Sequence, residues 1–325
     1  DFSATQPGDE IHLNVTKLPH RALDGLWESL IYEDAIPESV LRVLIRMLKV
    51  SRVPHLNPAI ISWQNLVLLY GPPGSGKTTL AQALAQKLSI RSTNIYSATK
   101  LIEVNSHTLL SKWFGESSKL VGRLFDTISS TSSDDSVLTI VIIDEVETLA
   151  GSREKATQAN ECGDAIRSTN ELLQGLDRLR KRPNVIFLCT SNLKEIMDTA
   201  FIDRCGIKQY IDSPNVECAY EIFRSVINEF IKNHLVCFDS MLMDRVLPMS
   251  DAGVDEVDEE LLGGSSPTLS SNSELRTLAR KAEGLSGRTL RRLPMLALAK
   301  YTVDEPCELQ NLLGALKRVV EEENQ

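Results

Sequence analysis

The sequence predicts an α/β fold, with a large domain built on a parallel sheet and a small all-helical domain after it. Three observations predict it. A glycine loop, Gly71-Pro72-Pro73-Gly74-Ser75-Gly76-Lys77-Thr78, lies between a short apolar run (residues 65–70) and a stretch of strong helix formers (79–88). Continuous apolar, β-branched runs at 137–143 and 184–189 suit strands buried on both faces, and they alternate with helical patterns. After Pro214 the strand signal stops and helical periodicity takes over.

The elements follow in order. Residues 1–20 are mixed and polar, broken by Pro7-Gly8 and Pro19, and read as a tail. Residues 26–32 form an apolar patch with an aromatic on each side. Residues 37–50 read as an amphipathic helix: Pro37 stands in the first turn, and Val40, Leu41, Leu44, Ile45 and Leu48 recur at helical spacing. Pro54 and Pro58 end it. The glycine loop comes next, then a strand at 101–105, a helix at 117–129 and a polar surface loop at 129–136. The strand at 137–143, a helix at 169–180, the strand at 184–189 and a last strand at 207–211 complete the large domain, placed at residues 21–213. The small domain, 214–325, carries helices at 216–235, 273–283, 286–301 and 309–322. An acidic, then Gly/Ser/Pro-rich stretch near 250–272 reads as a mobile insertion.

Composition narrows the function. The chain has 325 residues, 42% apolar and 24% charged, enough for a core in each of about two domains. A net charge of −9 argues against a dedicated nucleic-acid surface. No apolar run approaches the length of a membrane-spanning helix. The six cysteines are scattered without a C-x-x-C pair, so they read as thiols in a reducing compartment rather than as a disulfide framework or a metal site. The chain opens on Asp1 without a leader pattern and reads as a fragment.

The chemistry concentrates where strands end. The glycine loop fills the pattern G-x-x-x-x-G-K-[ST]. Glycines let backbone N–H groups turn inward around phosphate oxygens, and the helix that follows points its positive end at the same anion. Gly71, Pro72, Pro73, Gly74, Ser75, Gly76, Lys77, Thr78 and Thr79 are therefore the nucleotide-binding candidates; Lys77 supplies a full charge and Thr78 a hydroxyl for Mg2+. Asp144-Glu145 ends the most apolar strand. A carboxylate there is expected to reach the metal of the loop on the neighbouring strand, with Asp144 as the metal ligand and Glu145 as the base that polarises water. Asn192 follows the 184–189 strand and is placed to orient that water. Arg204 is a candidate for charge stabilisation across a subunit boundary, against an ion pair with its neighbour Asp203 or a solvated arginine. Arg288, in Gly284-Leu285-Ser286-Gly287-Arg288, is a candidate to reach the γ-phosphate from the small domain, against an exposed arginine after a capping turn. Trp113 and Phe114 are two large aromatics in a polar neighbourhood. Their local pattern leaves core burial and a gripping loop equally open.

Taken together and in this order, these motifs resemble the AAA+ ATPase family, over about residues 20–325. The chain is most similar to its pachytene-checkpoint branch, through Gly25-Leu26-Trp27-Glu28-Ser29-Leu30, Glu103-Val104-Asn105-Ser106-His107, Ser111-Lys112-Trp113-Phe114-Gly115-Glu116-Ser117, Phe201-Ile202-Asp203-Arg204 and Gly284-Leu285-Ser286-Gly287-Arg288-Thr289-Leu290-Arg291-Arg292-Leu293-Pro294. The resemblance implies an ATP-hydrolysing homo-hexamer with ATP and Mg2+ at each subunit junction. In it, Trp113 and Phe114 line a central pore, Arg204 acts in trans and Arg288 in cis. It implies HORMA-domain substrates brought by an adaptor, a place on chromosomes in the nucleus and also in the cytoplasm, and no direct nucleic-acid or membrane partner. A nucleic-acid machine of the clamp-loader or helicase type, or a microtubule-severing relative, is the alternative within the family. Two departures stand out. Between Asp198 and Ile211 the only arginine is Arg204, where many relatives carry two. About 60 residues precede the first core strand, too few for the family's adaptor-binding domain.

Overall fold

The structure, a computed structural model, describes residues 14–53, 57, 60, 64–106, 117–151, 162–192, 197–238, 267–303 and 306–324. It divides into two compact units. One comprises Asp1–Leu30 with Ala35–Asp212, the other Ile31–Asp34 with Ser213–Gln325. The division corrects the contiguous large domain expected at 21–213. Ile31 packs against the core of the helical unit, so the last two residues of the early apolar patch, Ile31 and Tyr32, belong there with Glu33 and Asp34.

The first unit is built on a six-stranded sheet. Its strands are β1 (Asn14–Leu18), β2 (Leu66–Tyr70), β3 (Ala98–Asn105), β4 (Val137–Asp144), β5 (Val185–Ser191) and β6 (Ile207–Tyr210), in the order β1-β3-β4-β5-β2-β6. All neighbours run parallel except β1, which pairs antiparallel with β3. β1 corrects the expected tail: Asn14 to Leu18 are paired in register with Thr99 to Glu103. Of this strand only Leu18 is buried, so its apolar signal is weak.

The central strands are covered on both faces, which is why their sequences run apolar without alternation. β5 is buried throughout and β2 at all but Tyr70. One face carries Leu66, Leu68, Val141, Ile143, Val185 and Phe187 and packs against α3 (Ser117–Thr131) and α4 (Cys162–Leu179). The other face is covered by α2 (Lys77–Arg91), whose Leu80, Leu84 and Leu88 are fully buried; α1 (Ile36–Ser51) packs beside α2. A short helix, α5 (Thr199–Arg204), precedes β6 and is capped by Asp198, which accepts from the Ala200 N–H.

α3 and α4 approach closely because α4 carries glycine at the contact. A Cβ on Gly175 would lie 2.2 Å from the Phe125 ring, which is fully buried. Gly175→Ala is therefore expected to cost about 1–3 kcal/mol by overpacking. Chemical denaturation checks this, and a variant of parental stability would contradict the packing.

The second unit packs α6 (Val216–Lys232), α7 (Pro267–Lys281), α8 (Gly287–Tyr301) and α9 (Leu309–Glu323) around one apolar cluster including Phe223, Leu278, Leu293 and Leu316. It also contains a parallel pair of two-residue strands, β7 (Val236–Cys237) and β8 (Cys307–Glu308). The unit is helical as expected, with this short pair added to it; two-residue strands carry no periodicity to read. The expected insertion at 250–272 falls largely outside the described residues, and its last six positions, 267–272, open α7. Among the described residues, no helix is long and apolar enough to cross a membrane. Among the described residues, Cys189, Cys205, Cys218, Cys237 and Cys307 take part in no disulfide.

Candidate nucleotide site

The glycine loop turns from the end of β2 into the start of α2. Three of its residues need glycine. Gly71, Gly74 and Gly76 have φ of 152°, 75° and 92°, and Gly76 is the N-cap of α2. Gly71 is also crowded, because a Cβ there would sit 1.9 Å from the carbonyl oxygen of Ile211, just beyond β6. Its N–H donates to the Ser191 carbonyl at the end of β5 (3.2 Å). The loop is thus held from both flanking strands, and its conformation does not rest on the loop alone.

Lys77 is 5% exposed. Its ammonium donates to the carbonyls of Gly71 (2.9 Å) and Pro72 (2.6 Å), with Ser75 Oγ at 3.4 Å. These contacts fix a full positive charge inside the curve of the loop. Thr78 follows, and its hydroxyl donates to Asp144 Oδ1 at 2.8 Å.

That bond crosses a strand. Asp144 ends β4, the loop follows β2, and β5 runs between them. The expectation of neighbouring strands is corrected here. The gap is bridged by Thr190 of β5, which is almost fully buried. Its hydroxyl donates to Asp144 Oδ1 and accepts from the Glu145 N–H at 3.2 Å. Ser106, after β3, donates to the Asp144 carbonyl at 2.8 Å. Glu145 sits in the left-handed region (φ 55°, ψ 47°), a strained conformation for a side-chain-bearing residue. This turn takes the chain off β4 and leaves the Glu145 side chain half-buried beside Asp144.

Asn192 follows β5 and is half-buried. Its backbone N–H donates to Glu147 Oε1 at 3.0 Å. The other carboxylate oxygen of Glu147 is buried and without a hydrogen-bond partner among the described residues. Thr190 and Glu147 are site residues that sequence reading missed. The signal for Thr190 was a hydroxyl at a strand end, in the Thr190-Ser191-Asn192 triplet from which only Asn192 was singled out. Glu147 carried no signal beyond being a third acid in the run.

Thr190→Val keeps the shape of the side chain and removes both of its hydrogen bonds. It is expected to cost about 1–3 kcal/mol, because the Glu145 N–H and an Asp144 oxygen lose a buried partner. Turnover is expected to fall with nucleotide binding retained. A thermal melt, an ATPase assay and a fluorescent-nucleotide titration check this together.

Arg204, the last residue of α5, grips Asp177 of α4 with a two-pronged contact: Nε to Oδ1 at 2.9 Å and Nη2 to Oδ2 at 2.8 Å. Its Nη1 donates to the Ala200 carbonyl at 2.6 Å. The guanidinium holds the Asp177 carboxyl below the usual carboxylate range. The intramolecular partner is therefore Asp177, not the adjacent Asp203. Both side chains are partly exposed, at 27% and 48%, so the pair is worth at most about 1 kcal/mol.

Arg288 lies in the other unit, exposed on the first turn of α8, where Ser286 caps the helix by accepting from the Thr289 N–H (3.2 Å). Trp113 and Phe114 lie outside the described residues. The structure thus brings together Gly71–Thr79, Asp144 and Glu145, with Asn192 at the adjoining strand end.

Comparison with known proteins identifies the family and the fold. Residues 67–213 match the model of the ATPase family associated with various cellular activities, and residues 215–324 match a TRIP13-like AAA+ ATPase lid C-terminal domain. The chain is 40% identical to the pachytene checkpoint protein 2 homolog of Arabidopsis thaliana over 315 residues, 96% of this chain and 67% of that protein. It is similar to the solved structure of C. elegans PCH-2 (TM-score 0.81, 34% identity, 98% of this chain and 77% of that one). A more distant fold match is the E. coli MS115-1 HORMA:CdnC:Trip13 complex (TM-score 0.67, 18% identity, 94% of this chain and 95% of that one).

Proposed function

Because the chain belongs to the pachytene-checkpoint branch of the AAA ATPase family, we propose that it hydrolyses ATP as a ring of six and uses the energy to open HORMA-domain proteins by pulling on them. The observation that carries the reading is the hydrogen bond from Thr78 to Asp144 across β5. It puts the hydroxyl beside the phosphate loop and the strand-end carboxylate on one point, as a shared metal needs.

The residues present fit Mg2+ with a triphosphate. A hydroxyl and a carboxylate are hard oxygen donors, and Mg2+ takes one or two of these plus phosphate oxygens. Gly74 and Gly76, at φ of 75° and 92°, let the loop backbone curve so that its amides can turn toward a phosphate. When bound, the metal neutralises charge developing on the transferred phosphoryl group. Thr78 and Asp144 would hold it, and the Gly71–Thr79 segment would hold the phosphates, with Lys77 as the fixed charge. Glu145 would take a proton from the attacking water, oriented by Asn192. The weak Asp177 pair leaves Arg204 free to exchange its partner for the nucleotide of a neighbouring copy at small cost. Arg288 would read the γ-phosphate from the lid, and Trp113 and Phe114 would grip substrate in the pore.

HORMA-domain substrates, adaptor delivery and action on meiotic chromosomes in the nucleus, and also in the cytoplasm, are carried over from the family resemblance. Of these, only the substrate class has a counterpart in the fold neighbours, where the E. coli complex contains a HORMA protein. No membrane or nucleic-acid partner enters the reading.

Two experiments test it. Light scattering of the Glu145→Gln form with ATP is expected to give the mass of six chains; a monomer would remove the ring. Trp113→Ala is expected to abolish HORMA-protein unfolding while ATP turnover continues, and unimpaired unfolding would remove the threading step.

A further inference from the structure

One face of the first unit stands apart from this chemistry. An open groove of about 500 Å³ is lined by α1 and α2. Arg42, Arg46 and Lys49 line it from α1 at four- and three-residue spacing; Lys87 and Arg91 line it from α2 four residues apart. Against these five cations the groove presents one lining carboxylate, Glu38. Glu28 stands nearby and pairs with Lys87 at 2.9 Å. The floor is apolar: Leu41 and Ile45 are half-buried, and the Lys87 ammonium lies 5.6 Å from the centre of the Trp27 ring.

Like charges stacked at helical spacing repel and destabilise their helix. Five of them around one groove, in a chain of net charge −9, call for an anionic occupant. The apolar floor calls for one that also brings aliphatic side chains, which a polynucleotide does not.

We propose that this groove receives the acidic stretch 251–262 of a second copy of the chain. That stretch lies outside the described residues, but its composition fits both demands. It carries Asp251, Asp255, Glu256, Asp258, Glu259 and Glu260 with no cation among them. Val254, Val257 and Leu261 recur at three- and four-residue intervals, matching the spacing of Leu41 and Ile45. Six carboxylates meet a groove of net +4, five cations less Glu38. The contact would tie neighbouring copies together by a charge-dependent strap. Delivery by a second copy rests on the ring reading, whereas affinity of the groove for the segment does not.

The test uses the full chain with those six acids changed to Asn or Gln, so that its own segment no longer competes. A fluorescein-labelled peptide of residues 250–264 is expected to bind saturably, more weakly at high salt, and about tenfold or more weaker in the R42E/R46E form. For the second copy, 15N-labelled and unlabelled parental chains are mixed and treated with a carbodiimide, which joins carboxylates to the Lys49 or Lys87 amine. Mass spectrometry is expected to find mixed-isotope links between 251–262 and α1 or α2. Absence of saturable peptide binding, binding indifferent to R42E/R46E, equal binding of a random single-stranded oligonucleotide, or links of one isotope only would each overturn the proposal. Light scattering with ATP reads the ring separately, so loss of one reading is distinguishable from loss of the other.

Discussion

Replacing Glu145 with Gln will lower ATP turnover by about two to four orders of magnitude, the usual worth of a positioned general base, and leave nucleotide binding in place. The glutamate does not hold the loop. Its backbone N–H is tied to Thr190, and the loop is tied through Gly71 to Ser191, so an amide side chain disturbs neither. Glu145 also follows Asp144 directly, in a strained turn that the bonds to Thr190 and Ser106 hold in place. Strain kept at this point, beside the carboxylate that bonds Thr78, fits a side chain whose position matters for a reaction. Phosphate release at saturating ATP, alongside a fluorescent-nucleotide titration, measures both halves of the expectation. A Gln form as fast as the parent would strip Glu145 of its role; one that fails to bind nucleotide would make it structural.

The second large effect lies in the backbone. Gly71→Ala forces a Cβ to 1.9 Å from the Ile211 carbonyl at φ 152°. The obstacle is main chain, held in turn by the bond from the Ile211 N–H to the Tyr70 carbonyl (2.8 Å), so it cannot swing aside as a side chain would. We expect a loss of about 3 kcal/mol or more, the range of combined overpacking and backbone strain. For a unit of this size that is a fall in melting temperature of roughly 6–12 °C. Nucleotide affinity is expected to fall with it, because relief of the clash must displace the loop from the end of β5. A melting curve and a nucleotide titration decide; an Ala form that melts and binds like the parent would mean the loop adopts another path.

These two residues mark how far the sequence could be read. The core strands were legible because burial on both faces leaves an unbroken apolar run, as in 137–143. The loop was legible because phosphate chemistry dictates its glycines. β1 was not, because an edge strand with one buried residue looks like any polar segment. Strand order was not legible either. Nothing local in the chain says that β5 lies between the loop and Asp144, and so Thr190 passed unnoticed. Nor does anything mark Asp177, 27 residues before Arg204, as the partner of that arginine. Periodicity reports burial along one element; it is silent on which elements meet.

The interposed strand has a consequence for mechanics. Backbone ladders fix adjacent strands at about 4.8 Å, so two steps set the loop and the acidic strand end about 10 Å apart. That interval is a ruler built from main-chain geometry, insensitive to side-chain substitutions in the core. A slide of β5 along its own axis would leave that interval unchanged and yet move Thr190, Ser191 and Asn192 in one stroke. Any cycle that couples the occupant of the loop to distant parts of the molecule has, in this middle strand, a stiff rod to push.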